Sequence, residues 1–345
     1  MKFSLIFFSG DERKKYRLVL DAAKLADENG FTAVWIPERH FHRFGGLYPN
    51  PSVVCSALAM VTKRIQLRAG SVIVPTHHVL RIAEEWSVVD NLSGGRVGVA
   101  LATGFSPVDF AFDPGAWAER RHTTFERVET LRKLWRGEPI SVRDGTGKRV
   151  DVELHPMPVQ PELPLWLTCT KSTETFTKAG ELGCNVLTGP IDMTLDDIGE
   201  KLKLYFDALD EHGHDRSACS VTMLLHTFID DDLALVRERV REPFIQYLRS
   251  FFKVIDTQKR SLGSGALESV STDDQRALLE YGFEKFFPNG SLLGTQETCA
   301  HVVERVRSMG VDEIACLIDF GLDDALVMKS LARVVELKKA FAGVG

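Results

Sequence analysis

Residues 68–105 carry the pattern that most restricts the fold, because they encode a strand, a helix and a second strand in one uninterrupted stretch. Residues 65–74 and Val97–Ala102 are apolar runs with the length of buried strands. Between them, residues 79–92 have helical spacing and end at Gly94 and Gly95, where glycine can stop a helix. Strands joined by a helical crossover lie parallel in a sheet. The stretch therefore predicts a parallel α/β protein.

The same alternation of strands and helices continues along the chain and predicts eight strands. Four strand–helix units fill residues 2–135, and further strands are predicted at 165–169, 184–187, 220–229 and 313–318. Residues 137–160 predict a hairpin-like insertion, and residues 230–290 form a second insertion that is polar and partly helical. No Gly-x-Gly-x-x-Gly motif follows the first strand, which disfavours an open dinucleotide-binding sheet. We predict one domain, residues 1–345, folded as a TIM barrel with two insertions.

Composition argues against several classes of partner. The net charge is −6, and Lys and Arg form no basic block, so we expect no nucleic-acid partner. The N-terminal residues lack the pattern of a signal peptide, and no apolar run reaches the roughly 18 residues that span a bilayer. We therefore expect a cytoplasmic protein that does not bind membranes. The cysteines form no Cys-x-x-Cys pair and are expected to be reduced, buried thiols: Cys55, Cys169, Cys184, Cys219, Cys299 and Cys316.

Candidate site residues follow the predicted strands, because a barrel of this type carries its site at the C-terminal ends of its strands. The second strand is followed by Arg39-His40-Phe41-His42-Arg43, which fits either a functional cluster or an ion-paired loop. The fifth strand leads into Lys171, Ser172 and Thr175 at the start of a helix. The first amides of a helix attract phosphate, but Ser172 also fits an ordinary N-cap. The pattern alone leaves both interpretations open.

Histidines after other strands raise a rival interpretation. His226 lies in an apolar strand, where a histidine is more often a buried structural residue than a catalyst. A metal-dependent amidohydrolase would nevertheless carry ligands after successive strands, and the candidates for such ligands are His40, His42, Lys171, His226 and Asp319. Against this interpretation, His-x-His follows the second strand rather than the first. No further histidine follows the sixth strand, where residues 188–190 read Thr-Gly-Pro.

Several long runs resemble the bacterial luciferase-like flavin-dependent monooxygenases, most closely those of polyketide and nonribosomal peptide biosynthesis, including the mupirocin pathway. These runs are residues 35–42, 44–53, 69–72, 84–98, 156–167, 179–183, 224–228 and 312–320. The resemblance implies a TIM barrel that binds FMN. The flavin would be reduced by a separate reductase, since the chain has no room for an NAD(P)H-binding domain. The polar segment 230–290 matches the position of the lid in this family.

The resemblance also assigns residues to the cofactor. The flavin ring would lie near residues that follow the first, third and fourth strands, namely Phe7, Gly70, Ser71 and Thr103. The phosphate would lie near Ser172 and Thr175, with Lys171 as an additional cation. The family often has a non-proline cis peptide after the third strand, which would fall between Gly70 and Ser71.

Departures from the family pattern affect the predicted chemistry. Arg39 stands where luciferases have a histidine beside the flavin, Phe105-Ser106 replace Trp-His, and Lys171-Ser172-Thr173 replace Gly-Asn-Pro. We predict Arg39 and His226 as the catalytic residues. Arg39 is always cationic and would stabilise developing negative charge or hold a substrate carboxylate or carbonyl. His226 would act as a general acid–base near neutral pH.

The predicted function is FMN-dependent oxygenation of an amino-acid, amine or acyl intermediate, either free or bound to a carrier protein. The alternatives are an F420-dependent dehydrogenase on the same barrel, a flavin-binding protein without turnover, and the metal hydrolase. The family commonly pairs through the helices after strands two and three. We therefore expect a homodimer with an apolar patch formed by Val53, Val54, Leu58 and Trp86.

Overall fold

Eight parallel strands close into a barrel in this computed structural model, which describes residues 1–9, 16–191, 193–261 and 272–342. Each strand is hydrogen-bonded to its neighbours in the order β9-β11-β1-β2-β3-β4-β7-β8, and β8 pairs with β9 to close the ring. The barrel strands are β1 Lys2–Ile6, β2 Ala33–Ile36, β3 Gln66–Ile73, β4 Val97–Ala102, β7 Leu165–Thr168, β8 Asn185–Thr188, β9 Val221–Ile229 and β11 Glu313–Leu317. The predicted TIM barrel is confirmed.

Helices pack around the barrel and connect successive strands. Most of them begin where the sequence offers a cap: Asn50 accepts the Val53 amide before a proline, and Thr194 and Thr295 each form a reciprocal capping box. The helices are α1 Arg17–Glu28, α2 Pro51–Ala59, α3 Val79–Ser93, α4 Arg120–Trp135, α5 Thr173–Glu181, α6 Leu195–Glu211, α9 Gln296–Ser308 and α10 Asp324–Ala340.

Two insertions interrupt the alternation of strands and helices, in the regions that the sequence indicates. The first is the antiparallel hairpin of β5 Ile140–Arg143 and β6 Arg149–Val152. The second contains the long helices α7 Leu233–Ser261 and α8 Thr272–Phe286. A further strand, β10 Leu292–Gly294, pairs in parallel with β9 and was not predicted, because three residues are too few to show a periodic pattern.

A buried ion pair joins strands across the N-terminal end of the barrel. Nη1 of Arg68 lies 3.0 Å from Oε2 of Glu313, while the Ser4 hydroxyl donates to Glu313 at 2.6 Å and the Trp35 indole N–H at 3.1 Å. The Arg68 guanidinium also lies against the rings of Trp35 and Trp166. Charges buried with this many partners fix strand positions and leave the opposite end of the barrel for the site.

The expected dimer patch is partly wrong. Leu58 and Trp86 are buried in the core of their own chain and have no surface to offer a partner. Val53 is 64% exposed, and other apolar side chains exposed on or next to α2 and α3 are Met60, Val61, Val88 and Leu92.

The six cysteines are all free thiols, as predicted, although Cys219 is only partly buried. Within the described residues, no helix is both long enough and apolar enough to cross a bilayer.

Candidate functional site

The residues predicted for the flavin ring lie at the C-terminal ends of neighbouring strands. Phe7 is fully buried directly after β1, and Thr103 is half-buried directly after β4. The peptide between Gly70 and Ser71 is cis, as the resemblance implies, and the register of β3 against β4 shifts there. The Ser71 hydroxyl is hydrogen-bonded to the hydroxyl of Thr168 at the end of β7. The structure thus brings hydroxyl groups from two strands together at the barrel mouth.

The N-terminus of α5 is not capped by the side chain of its own N-cap residue. Ser172 occupies the N-cap position in an extended conformation, but its side chain makes no capping hydrogen bond. Thr175 is buried in the first turn, and Lys171 is exposed immediately before the cap. The acidic Glu174 of that turn is paired with Arg121 at 2.9 Å. Because the first amides of a helix have no partner within it, this terminus can accept an oxyanion.

Arg39 follows β2 and points into the barrel mouth between aromatic rings. Its guanidinium carbon lies 4.9 Å from the ring centre of Phe8 and 5.2 Å from that of Phe105. The side-chain stem passes Gly45, where an added Cβ would lie 2.7 Å from Cγ of Arg39. Burial lowers the pKa of Arg39, and the charge of Asp109 opposes that effect. These contacts hold a cation at a fixed place in a largely apolar surrounding.

Asp109 is a site residue that sequence reasoning missed. It lies in the short 3-10 helix Pro107–Phe112 after β4 and is fully buried. Neither carboxylate oxygen makes a well-aligned hydrogen bond, although the His40 backbone N–H lies close enough to favour the charged form. Burial raises its pKa to about 6, against the opposing charge of Arg39. Nε2 of His42 lies 3.9 Å from Oδ1 of Asp109, and burial together with Arg39 lowers the pKa of His42 to about 4. The sequence feature that could have identified Asp109 is a single carboxylate in an apolar turn after a barrel strand.

His226 lies inside a cage of aromatic rings on β9. Its ring centre is 4.7 Å from that of Phe244, 4.8 Å from Tyr247 and 5.7 Å from Phe320, and neither ring nitrogen has a hydrogen-bond partner. Burial lowers the pKa of His226 to about 3. A histidine with this pKa is neutral at neutral pH, so its surroundings do not support the predicted general acid–base exchange. Its catalytic role remains a prediction.

A second polar cluster lies beside the mouth and consists of Glu38, His40 and His77. Oε1 of Glu38 is 2.7 Å from Nε2 of His40 and 2.6 Å from Nε2 of His77, and Oε2 accepts the Ile73 amide. Burial alone would raise the pKa of Glu38, but the hydrogen bonds from the two histidines outweigh it and lower that pKa. The cluster ties the loops after β2 and β3 together.

In the described part of the chain, the candidate ligands of the alternative metal-hydrolase interpretation do not come together as one metal site. Asp319 accepts the amides of Phe8 and Ser9 at 2.6 and 2.8 Å and the Tyr48 hydroxyl at 3.2 Å, so it fixes the loop after β1. His226 is enclosed by aromatic rings. In the described part of the chain, the one group of three or more His, Cys, Asp or Glu side chains close enough to hold an ion is Glu38, His40 and His77. That set is not the predicted one.

The chain folds as a TIM barrel with polar groups at the C-terminal ends of its strands, and its similarity to known proteins identifies its family. The family profile of the luciferase-like monooxygenases matches residues 1–313. The chain therefore belongs to the luciferase-like monooxygenase family. This membership excludes the amidohydrolase interpretation.

One curated relative covers nearly the whole chain. It is the oxygenase component of the flavin-dependent trigonelline monooxygenase of Acinetobacter baylyi, with 26% identity over 96% of this chain and 91% of the relative. The crystal structure of the monooxygenase RslO1 from Streptomyces bottropensis has 25% identity and a TM-score of 0.82, and the match covers 99% of this chain and 100% of RslO1.

Two more distant structures share the fold. One is the oxygenating constituent of 3,6-diketocamphane monooxygenase of Pseudomonas putida in complex with FMN, with 18% identity, a TM-score of 0.73 and coverage of 98% and 96%. The other is an F420-dependent secondary alcohol dehydrogenase with an F420–acetone adduct, with 19% identity, a TM-score of 0.71 and coverage of 98% and 99%. The same barrel thus serves two kinds of flavin-like cofactor.

Proposed function

We propose that the chain, as one barrel domain, is the oxygenase component of a two-component flavin-dependent monooxygenase. It would take reduced FMN from a separate reductase and oxygenate a small amino-acid, amine or acyl substrate, either free or carrier-bound, in natural-product metabolism. The observation that carries the cofactor assignment lies at the N-terminus of α5, where the Ser172 hydroxyl does not cap its own helix. When bound, reduced flavin supplies the electrons that activate O2 for oxygen insertion.

The residues at the mouth fit FMN. The phosphate would be held by the first amides of α5 and by the hydroxyls of Ser172 and Thr175, with Lys171 adjacent. The negative charge of Glu174 would repel the phosphate little, because Glu174 is paired with Arg121. The isoalloxazine ring would lie over the strand ends, against Phe7, Gly70, Ser71 and Thr103. Tyr247 and Phe251 of α7 pack on Phe44 at ring distances of 5.0 and 5.6 Å. Helix α7 would thereby exclude water from the mouth.

The partners follow from this assignment. A separate flavin reductase would supply the cofactor, as the description of the Acinetobacter relative as an oxygenase component supports. Six free thiols suit the reducing conditions of the cytoplasm, where we place the reaction. We retain a homodimer through α2 and α3 as a proposal, with Val53, Met60 and Leu92 as its exposed apolar contacts.

Cofactor titration tests the proposal. Protein titrated with FMN, reduced FMN, FAD and F420 should prefer the FMN pair, and preference for F420 would reassign the protein to hydride transfer. Replacing Ser172 and Thr175 together by Ala should weaken FMN binding by about 1–3 kcal/mol, the range for lost hydrogen bonds to a charged group.

A capping threonine on another helix provides the control. Thr194→Ala removes a capping box from α6 and should lower the free energy of unfolding by about 1 kcal/mol while FMN affinity stays unchanged. Unchanged FMN affinity in a folded Ser172→Ala/Thr175→Ala protein would contradict the phosphate assignment.

A further inference from the structure

Three side chains at the barrel mouth keep buried polar atoms without well-aligned hydrogen bonds, although backbone groups of His40 and Phe44 lie near Asp109 and His42. These atoms are Nε of Arg39, both ring nitrogens of His42 and both carboxylate oxygens of Asp109. A buried polar group without a hydrogen bond costs free energy, and a buried charge costs more. Native structures rarely bury several such atoms together unless water or a bound molecule provides the missing hydrogen bonds.

The charges of Arg39 and Asp109 are opposite but do not form an ion pair. Each shifts the pKa of the other, yet Nε2 of His42 lies 3.9 Å from Oδ1 of Asp109, and the Arg39 guanidinium donates to the Glu38 carbonyl at 3.4 Å. Within the described residues, no carboxylate lies within 4.0 Å of the Arg39 guanidinium. A positive and a negative charge therefore influence each other without a direct ion pair, and Nε of Arg39 and the carboxylate oxygens of Asp109 keep hydrogen-bonding capacity.

Packing contacts hold each of the two charged side chains in place. The Arg39 guanidinium lies between Phe8 and Phe105, and its stem rests against Gly45. Asp109 is held in its 3-10 turn, whose neighbouring Phe110 packs against Trp117 at 5.0 Å. Both charged side chains are therefore held in positions from which they can bind another molecule.

We propose that Arg39, His42 and Asp109 form a recognition site for a zwitterionic substrate, namely a small molecule with an anionic group and a protonated nitrogen. The anionic group binds Arg39, and the protonated nitrogen donates to Asp109. His42 is neutral and completes the hydrogen bonds between them. The surrounding rings of Phe8, Phe44 and Phe105 contact the apolar part of the molecule. This inference rests on the proposed monooxygenase function and narrows its substrate class.

A matched set of probes tests the site: phenylalanine carries both charges, 3-phenylpropionate only the negative one, and 2-phenylethylamine only the positive one. Calorimetric titration of FMN-saturated protein at a pH near 8, where Asp109 is ionised, should rank phenylalanine first. Asp109→Asn should weaken phenylalanine and 2-phenylethylamine by about tenfold or more and leave 3-phenylpropionate unaffected. Arg39→Met should weaken phenylalanine and 3-phenylpropionate and leave 2-phenylethylamine unaffected.

An exposed aspartate far from the mouth gives the matched control. Asp210 pairs with Arg216 at 2.6 Å near the end of α6, and Asp210→Asn should change none of the three affinities. The proposal is overturned if no probe binds, if phenylalanine binds no better than the singly charged probes, or if Asp109→Asn leaves their order unchanged. It is also overturned if Asp109→Asn weakens FMN instead, which would assign the carboxylate to the cofactor.

The same samples separate this inference from the proposed function. FMN affinity is measured first, and absence of FMN binding to the wild-type protein would refute the monooxygenase assignment. FMN binding without discrimination among the probes would refute the zwitterion site alone. Melting temperatures of Asp109→Asn and Arg39→Met establish that each variant is folded before its probe affinities are compared.

Discussion

At the scale of single residues, the mouth of the barrel contains titratable groups whose surroundings set their charge. Burial lowers the pKa of His226 to about 3 and raises that of Asp109 to about 6. The histidine is thus neutral and the aspartate mostly ionised at neutral pH. This contrast agrees with the proposed recognition role of Asp109, whereas the aromatic surroundings of His226 do not favour proton exchange.

The depressed pKa of His226 predicts a contribution to acid sensitivity. In the unfolded chain the imidazole has an ordinary pKa of 6.5, whereas the folded protein holds it at about 3. As pH falls through 6.5, the unfolded state binds a proton that the folded state does not, so stability is lost. Between about pH 7.5 and about pH 5 this group should cost about 2 kcal/mol of unfolding free energy.

Urea unfolding of His226→Phe at both pH values measures that contribution. The variant should lose about 2 kcal/mol less than wild type between the two conditions. Crowding by the larger ring would lower stability equally at both pH values and so cancels in the difference. Equal losses in the two proteins would show that His226 does not titrate in this way. A product-forming His226→Phe enzyme would also remove His226 from the catalytic residues.

At the scale of elements, the position of α5 depends on a glycine at its contact with α6. A Cβ on Gly180 would lie 2.5 Å from the carbonyl oxygen of Tyr205 and 2.6 Å from Cβ of Ala208. Backbone atoms of a packed helix cannot move aside cheaply. Gly180→Ala should therefore lower the free energy of unfolding by about 1–3 kcal/mol, the usual cost of overpacking.

The same substitution should also weaken FMN binding, because α5 presents Ser172 at its other end. Gly145→Ala is the matched control, since nothing lies within 4 Å of the Cβ that it would add in the turn of the β5–β6 hairpin. Urea unfolding and FMN titration of both variants provide the measurements. Equal stability of the two variants would contradict the proposed close contact between α5 and α6.

The elements were more predictable from sequence than the site. Ala33–Ile36 and Val97–Ala102 match their predicted bounds, because buried parallel strands are short, continuous apolar runs between turn residues. Leu58 and Trp86 were misassigned to the surface, because apolar spacing on a helix does not reveal which of two faces packs inward. Asp109 escaped notice because the feature that distinguishes it, burial without a partner, exists only in the folded structure.

At the scale of the whole molecule, the two ends of the barrel differ in whether their charged side chains form ion pairs. At the N-terminal end, Arg68 and Glu313 are paired and supplied with further hydrogen bonds. At the C-terminal end, Arg39 is half-buried and Asp109 is fully buried, and no ion pair joins them within the described residues. One end therefore stabilises the closed barrel, and the other keeps polar groups available for ligands, which is the usual division of labour in this fold.

This division predicts that stability and ligand binding can be separated by mutation. Glu313→Ala leaves the buried Arg68 without its partner and should lower the free energy of unfolding by about 3–5 kcal/mol. Because β3 and β11 are not neighbours in the barrel, the loss weakens a contact that crosses the interior. FMN affinity of the folded fraction should stay unchanged. A parallel drop in FMN affinity, or a loss below about 1 kcal/mol, would show that the two ends are not independent.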